Sequence, residues 1–410
     1  MGAPAARAGE LSRHWARMGH DVTVLTGFPN HPTGVVPEDW RPRLRRLRYT
    51  ETVDGVRVVR TWLWPLPNRK AHERIRNYAS FCLSAAVSGL ALHKPDLIIA
   101  TSPQLLVALS GWWLAWWKGV PFVFEVRDLW PESLAAVGAS SEGSLLHRTL
   151  GAIAGFLYRR ADRIVVVTPA FQDHLIRYWN VPAAKISIVE NGVETDLFRP
   201  DPAATEVRRQ LKLEDRFLIC YIGTMGSAHG LETLIAAAEE LQMALPNAMF
   251  LLIGEGAEKE RIVELAARRG LTNLCFLGQQ PRERIPAYVS AADLCLVLLK
   301  KTELFKTVIP TKLLEYMACA RPVIVAVDGQ ARQIVESAAG GVFVEPENSH
   351  ALVNAILNLA EDAERRQQMG TSGRQYIVSR LSREKTARDY ITVLAALSLD
   401  GRGRPIPRER

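Results

Sequence analysis

Short apolar, β-branched runs alternate with helical patterns along nearly the whole chain, the signature of parallel α/β units. In the first half this pattern predicts strands at Val22–Thr26, Val56–Arg60, Leu97–Thr101, Phe122–Val126, Ile164–Thr168 and Ile186–Val189. Helices fall between them at Ala5–Met18, Lys70–His93, Leu105–Lys118, Ser144–Ala161 and Pro169–Tyr178. The second half repeats the scheme, with strands at Phe217–Tyr221, Met249–Ile253, Leu274–Leu277, Leu294–Val297, Val323–Ala326 and Gly341–Val344. Its helices are predicted at Leu231–Leu245, Glu258–Arg269, Arg282–Ser290, Lys312–Cys319 and Gln330–Ser337. The fold class that follows is α/β, two doubly wound domains in series.

A strand ends in an Asn-Gly turn at Glu190-Asn191-Gly192-Val193, followed by a Pro- and charge-rich connection from Arg199 to Glu206. Residues 1–190 are therefore expected to form one domain and 191–375 a second. Residues 376–398 are expected to form a helix that packs back on the first domain, and 399–410 a disordered tail. Doubly wound domains normally open on a central strand, whereas the first helix here begins within a few residues of Met1. The expectation is that a first N-terminal strand is missing.

With 410 residues, 48% hydrophobic, the chain is a folded globular protein long enough for two cores. Five cysteines are spread singly, without a CxxC pair, and read as small buried hydrophobes in a reducing cytosol. No apolar leader occurs among Met1–Arg17, and a cytoplasmic location is expected. The largely apolar stretch from Leu97 to Trp117 is interrupted by Thr101-Ser102-Pro103-Gln104, so it reads as a strand and a buried or interfacial helix, not a membrane span. The net charge of +8 is unevenly placed: residues 1–200 hold 24 Lys and Arg against 17 Asp and Glu, leaving 27 against 26 for the rest. Its densest run, Arg41-Pro42-Arg43-Leu44-Arg45-Arg46-Leu47-Arg48, suits phosphate in a nucleic acid or a lipid surface, or is a solvated loop.

Candidate chemistry sits where strands end. After Phe217–Tyr221 comes Gly223-Thr224-Met225-Gly226-Ser227-Ala228-His229-Gly230, where backbone amides and a helix start could hold an anion; Ile253-Gly254-Glu255-Gly256 is a second such turn. In Pro310-Thr311-Lys312-Leu313-Leu314-Glu315, Pro310 suits a helix start and Thr311 a cap or anion contact. Lys312 adds charge at the positive end of the helix dipole, and Glu315 lies one turn along the same face. A cation for phosphates beside a carboxylate for sugar hydroxyls is what a nucleotide-sugar requires; an ordinary surface ion pair is the alternative. Strand Phe122–Val126 delivers Arg127, suited to phosphate, and Asp128, suited to an acceptor hydroxyl, or else a structural Arg–Asp brace. His31 follows another strand. No Asp-x-Asp, HExxH or Cys/His ligand array occurs, so no protein-held metal and no cofactor is expected.

Taken together, Thr26-Gly27-Phe28-Pro29-Asn30-His31-Pro32, Arg127-Asp128-Leu129-Trp130-Pro131-Glu132-Ser133, Asn191-Gly192-Val193 with Phe198, Gly223-Thr224-Met225-Gly226, and Pro310-Thr311-Lys312 with Glu315 resemble the retaining glycosyltransferases of family 4. The likeness extends over nearly the whole chain, and within the family it is greatest to enzymes of bacterial surface-polysaccharide synthesis of the L-fucosamine or colanic-acid type. The resemblance implies the GT-B architecture of two facing Rossmann-like domains. It also implies that Glu315 holds the nucleotide ribose, that Lys312 with the amides of Thr311 and Leu313 meets the diphosphate, and that Gly223 and Gly226 lie beneath it; Gly254, from the second turn, is a further donor-binding candidate. Gln279, in the turn Gly278-Gln279-Gln280-Pro281, is expected to face the base. Gly2 and Ala3 match the end of the family's N-terminal glycine loop and, with His31, Arg127 and Asp128, are expected on the acceptor and phosphate side.

Three positions depart from the family pattern. The first glutamate of the family's Glu-x7-Glu motif is replaced by Thr307. His229 stands where a basic residue is often found, and Arg127-Asp128 where many members have a histidine. The expected activity is metal-independent, retaining transfer of a sugar, UDP-linked and N-acetylated, to a lipid-linked saccharide. Asp128, Lys312 and His229 are the catalytic candidates, and an anionic membrane surface, not nucleic acid, is the expected partner. A non-hydrolysing UDP-sugar epimerase, or a non-enzymatic binder of membranes or nucleic acid, are the competing readings.

Overall fold

A computed structural model describes residues 3–30, 34–67, 71–136 and 143–398. The chain divides into two compact units: one runs to Glu190 and resumes at Thr386, and the other spans Asn191–Lys385.

In the first unit, α1 (Ala3–Arg17) leads to β1 (Thr23–Gly27), α2 (Arg41–Leu44), β2 (Arg48–Val53) and β3 (Val56–Thr61). These strands form a three-stranded sheet in the order β1-β3-β2, with β1 parallel and β2 antiparallel to β3. Next come α3 (Ala71–Leu90), β4 (Ile98–Thr101), α4 (Leu105–Lys118), β5 (Phe122–Val126), α5 (Glu132–Ala136), α6 (Leu145–Arg160), β6 (Arg163–Val166), α7 (Pro169–Trp179) and β7 (Ile186–Ile188). Strands β4-β5-β6-β7 make a second, wholly parallel sheet in that order. β5 is buried at every position, as a central parallel strand must be when helices cover both its faces.

β2 lies outside the pattern-based expectation, because its residues Arg48-Tyr49-Thr50-Glu51-Thr52-Val53 are mostly polar and at best half-buried. The signal that identifies it is Asp54-Gly55, with φ of 50° and 81°, a two-residue hairpin turn whose twist matches that of the paired strands. The basic run before β2 is partly tied down: Arg43 and Arg60 stack on Trp40, each 4.7 Å from its ring centroid. Arg60 also pairs with Glu51 at 2.6 Å.

The second unit contains α8 (Ala204–Leu211), β8 (Phe217–Ile222), α9 (Glu232–Ala244), β9 (Ala248–Ile253), α10 (Lys259–Arg268), β10 (Leu274–Leu277), α11 (Ile285–Ala291), β11 (Leu294–Leu298) and α12 (Thr311–Ala318). β12 (Val323–Ala326), α13 (Gln330–Ser337), β13 (Gly341–Phe343), α14 (Ser349–Glu361) and α15 (Ala363–Arg380) follow, and then α16 (Arg383–Ser398), which leaves this unit after Lys385. Six parallel strands lie in the order β10-β9-β8-β11-β12-β13. Alternate residues of β8 feed opposite cores, with Leu218, Cys220 and Ile222 on one face and Phe217, Ile219 and Tyr221 on the other.

Three local expectations change. The stretch 376–398 is the end of α15 and then α16, interrupted at Leu381-Ser382, where the Val193 amide donates to the Leu381 carbonyl and the Arg383 amide to the Val193 carbonyl. From Thr386 on, α16 belongs to the first unit, where Ala387, Tyr390 and Leu394 pack with Leu11, Val123, Val165 and Val189. Arg282–Ser290 begins as a 3₁₀ turn over Arg282–Arg284 before α11. Among the cysteines, all free, Cys220, Cys295 and Cys319 are buried, but Cys82 and Cys275 are only half-buried. Among the described residues, no helix is long and apolar enough to cross a membrane.

Candidate active site

The winding of the second sheet reverses between β8 and β11. In open parallel sheets, ligands bind outside the carboxyl ends of the strands at such a reversal. β8 delivers Gly223 to this edge, and α12, which follows β11, brings Lys312 beside it. A Cβ added at Gly223 would lie 2.8 Å from the Lys312 Nζ, and the Gly223 φ of +145° is one that other residues rarely adopt. Lys312 is only 9% exposed and its Nζ makes no hydrogen bond. The ammonium rests 3.8 Å from the centroid of the Tyr221 ring. Burial pulls its pKa from the ordinary 10.5 down to about 7, with the nearby Glu315 carboxylate opposing. A buried ammonium over an aromatic face, with no hydrogen bond of its own, is a site suited to an anion.

The loop that carries Gly223 is sewn to the loop after β9. Gly223 N–H donates to Ile253, Met225 N–H to Glu255, and Glu258 N–H back to Met225. A side chain at Gly254 would collide with the Gly223 carbonyl, so Gly254 serves as the close-packed underlay of the first loop. Gly226 opens a 3₁₀ turn, Ser227–His229, instead of leading straight into a helix; α9 starts further on at Glu232. Two tyrosines that sequence reasoning passed over hold this edge. Tyr221 donates its hydroxyl to the Thr224 carbonyl at 2.7 Å. The fully buried Tyr316 hydroxyl accepts from Ile222 N–H at 2.7 Å and donates to the Ile222 carbonyl at 3.0 Å. Both look like core aromatics in sequence, since only the fold shows what their hydroxyls reach.

Several predicted residues have roles that differ from expectation. Pro310 is the residue before the first turn of α12 and no side chain caps the helix, so Thr311 is its first residue and not its cap. Leu313 is fully buried in the core, and its amide donates to the Pro310 carbonyl at the helix start. His229 is neutral at physiological pH: burial, then the Lys312 charge, push its pKa down to about 3. Its Nδ1 faces the Leu298 carbonyl at 3.4 Å, which fixes the proton on that nitrogen. The partial cation expected there is therefore absent. Glu315 is half-buried and paired with Arg282 at 3.1 Å, while Arg282 lies over the Phe198 ring at 5.0 Å. Gln279 is exposed in its turn. Thr307 donates its hydroxyl to the Leu304 carbonyl.

In the first unit, the amides of Arg127 and Asp128 both donate to the Ser102 Oγ, at 2.7 and 3.2 Å. Ser102 lies just past β4 and is almost fully buried, so a neighbouring strand's end fixes the turn that presents Asp128. Burial raises the Asp128 pKa to about 6, with Arg127 opposing. Beneath it, Glu125 is held ionised against its burial by Arg7 and Arg127, and its pKa lies below the usual carboxylate range. Arg7 binds Glu125 at 3.0 Å and donates to the Val189 and Glu190 carbonyls. Arg7 carries no motif, and only the packing of α1 shows its function as a brace. Ala3 opens α1. Gly2 and His31 lie outside the described residues.

Comparison with known proteins agrees with this geometry. Residues 2–192 match the model of the glycosyl transferase 4-like domain, and residues 203–376 that of glycosyl transferases group 1. The chain belongs to the glycosyltransferases assembled from these two domains and has the GT-B fold. It is similar to the "Putative colanic acid biosynthesis glycosyl transferase WcaI" of Escherichia coli, with 26% identity over 93% of this chain and 94% of that one. Among solved structures, sucrose-phosphate synthase from Thermosynechococcus elongatus aligns over 96% of this chain and 94% of its own, with a TM-score of 0.76 and 23% identity. HepE of Anabaena, in complex with UDP-glucose, aligns over 92% of this chain and all of its own at a TM-score of 0.70 and 18% identity.

Proposed function

We propose that this glycosyltransferase moves a sugar from a nucleotide diphosphate-sugar, UDP-linked and N-acetylated, to a hydroxyl of a lipid-linked saccharide during cell-surface polysaccharide synthesis, with retention of configuration. The observation that carries the donor half is the unpartnered Lys312 ammonium beneath Gly223 at the reversal of the second sheet. A diphosphate there favours the protonated Lys312 ammonium and meets it in a site of low polarity, where charge developing on the leaving group is stabilised most strongly. Because the leaving-group charge has this cation, the reaction as proposed needs no metal. The UDP-glucose bound in HepE supports the donor class, and the colanic acid assignment of the Escherichia coli relative supports the pathway class.

Glu315 supplies acceptor oxygens for ribose hydroxyls, with Arg282 orienting its carboxylate. His229, neutral and protonated on Nδ1, offers Nε2 as a hydrogen-bond acceptor to a sugar hydroxyl or amide. In retaining transfer without a covalent intermediate, the donor phosphate takes the acceptor proton on the same face, and Asp128 orients the acceptor hydroxyl. The protein works at the inner face of the cytoplasmic membrane, where lipid-linked acceptors are presented. A thermal-shift screen with UDP-, GDP- and dTDP-sugars tests the donor, since a ligand of the folded state stabilises it by mass action. UDP-sugars are expected to raise the melting temperature; stabilisation by GDP- or dTDP-sugars alone refutes the nucleotide. An epimerised sugar formed without any acceptor refutes transfer.

A further inference from the structure

Helices α3, α4 and α6 form one layer of the first unit, with α4 packed between the other two. α4 and α6 both return from the carboxyl edge of the parallel sheet, and α3 leads into β4, so all three have their C-terminal ends at the opposite edge. Lys118, the last residue of α4, confirms the meeting: its Nζ donates to the Leu90 and Leu92 carbonyls at the end of α3. The helices are locked side to side there, because a side chain at Gly89 would collide with Leu114.

This tip is unusually apolar for a free surface. Trp116 and Trp117 are 66% and 61% exposed, and Leu83 and Val87, one turn apart on α3, are each 69% exposed, with Leu90 continuing the stripe. Such a cluster is more than the single exposed apolar residues that any surface carries. Its charged neighbours are mainly basic: Lys94, Lys118, and Arg159 and Arg160 at the end of α6. Asp96 and Asp162 are the exposed acids nearby, and Asp162 also accepts from the Phe122 amide at 2.7 Å. α4 itself contains no acidic residue, and α6 none either. Tryptophans and leucines ringed by lysine and arginine match the chemistry of a bilayer interface, where indoles sit at headgroup level and cations meet lipid phosphates.

We propose that the α3–α4–α6 tip docks on an anionic lipid bilayer, inserting Trp116, Trp117, Leu83 and Val87 among the headgroups. The proposal gives the membrane location suggested above a definite surface and rests on that reading only for its biological setting. It also separates docking from chemistry: the tip lies a helix length, about 20 Å, from the edge where β5 delivers Asp128.

Co-sedimentation of the full chain with vesicles of phosphatidylcholine, with and without one third phosphatidylglycerol, tests it. The wild-type chain is expected to bind the anionic vesicles, more weakly at high salt, with a blue shift of tryptophan emission. The exposed double variants Trp116→Ser/Trp117→Ser and Leu83→Ser/Val87→Ser should each weaken binding at least tenfold while melting as the wild type does. Transfer to a soluble, lipid-free acceptor should be unchanged in both. Failure of the wild type to bind, undiminished binding by both variants, or a concentration-dependent dimer that the variants abolish overturns the proposal. Transfer activity without vesicle binding would sink the docking surface alone, and vesicle binding without transfer from any nucleotide-sugar would sink the enzymatic reading alone.

Discussion

Replacing Lys312 with Met should stabilise the ligand-free protein while abolishing its response to donor. The ammonium is buried without a hydrogen bond, and its pKa falls from 10.5 to about 7. At about 1.36 kcal/mol per pH unit, that gap sets an upper bound of about 5 kcal/mol on the cost of keeping Lys312 charged in the folded chain. Contact with the Tyr221 ring returns about 2 kcal/mol of this, leaving roughly 3 kcal/mol. Methionine keeps the unbranched stem and removes the charge, so the melting temperature of the second unit should rise by about 5–10 °C. The sign with pH follows. Between about 7 and 10.5 the unfolded chain holds a proton at this position that the folded chain has released, so wild-type stability rises with pH across that window. The destabilising effect is fully present below about pH 7, and the variant should lack this slope. Differential scanning calorimetry at pH 6.5 and 9, with and without a UDP-sugar, reads all three effects. A variant less stable than wild type at pH 6.5, or one still stabilised by the donor, would refute the assignment of Lys312 as a cation kept for an anionic ligand.

Three further changes probe the same edges. Gly223→Ala places a Cβ 2.8 Å from the Lys312 Nζ at a φ of +145° and should weaken donor binding at least tenfold, as titration calorimetry would measure; unaltered affinity would mean the anion binds elsewhere. If Asp128 acts as a carboxylate, turnover falls as pH drops through about 6, and Asp128→Asn should be slow but flat across pH 5–8; an acidic limb that survives the substitution assigns it to another group. Ser102→Ala leaves the amides of Arg127 and Asp128 without their acceptor and should cost about 1–3 kcal/mol in chemical denaturation, with a loss of turnover; no change in either would show that the turn is held by other contacts.

Legibility differed between the two halves of the site. Lys312, Glu315 and the Gly223 loop stood out in sequence because they follow strand ends and match the motifs of a known family, although each alone also fits a surface ion pair or a packing turn. Arg282 and Ser102 gave no such signal. One is an arginine in a basic chain, the other a serine beside a proline, and each acquires meaning through a partner, Glu315 for Arg282 and the Arg127–Asp128 amides for Ser102. His229 shows the opposite error. Its position suggested a cation, but its charge depends on burial and on Lys312, neither of which a linear pattern contains.

The sequence alone determined the α/β class and the strands that lie at the centre of each sheet, because periodicity and turn chemistry are local properties; the phosphate and ribose roles of Lys312 and Glu315 came from the resemblance to a family. The tertiary structure decided the strand order that creates the ligand edge, the neutrality of His229, the unpartnered state of Lys312, and the gathering of three helix ends into one apolar, basic tip. Each of those depends on which distant segments exclude water from one another. Hydration and Coulomb energies are set by that packing and not by the order of residues along the chain.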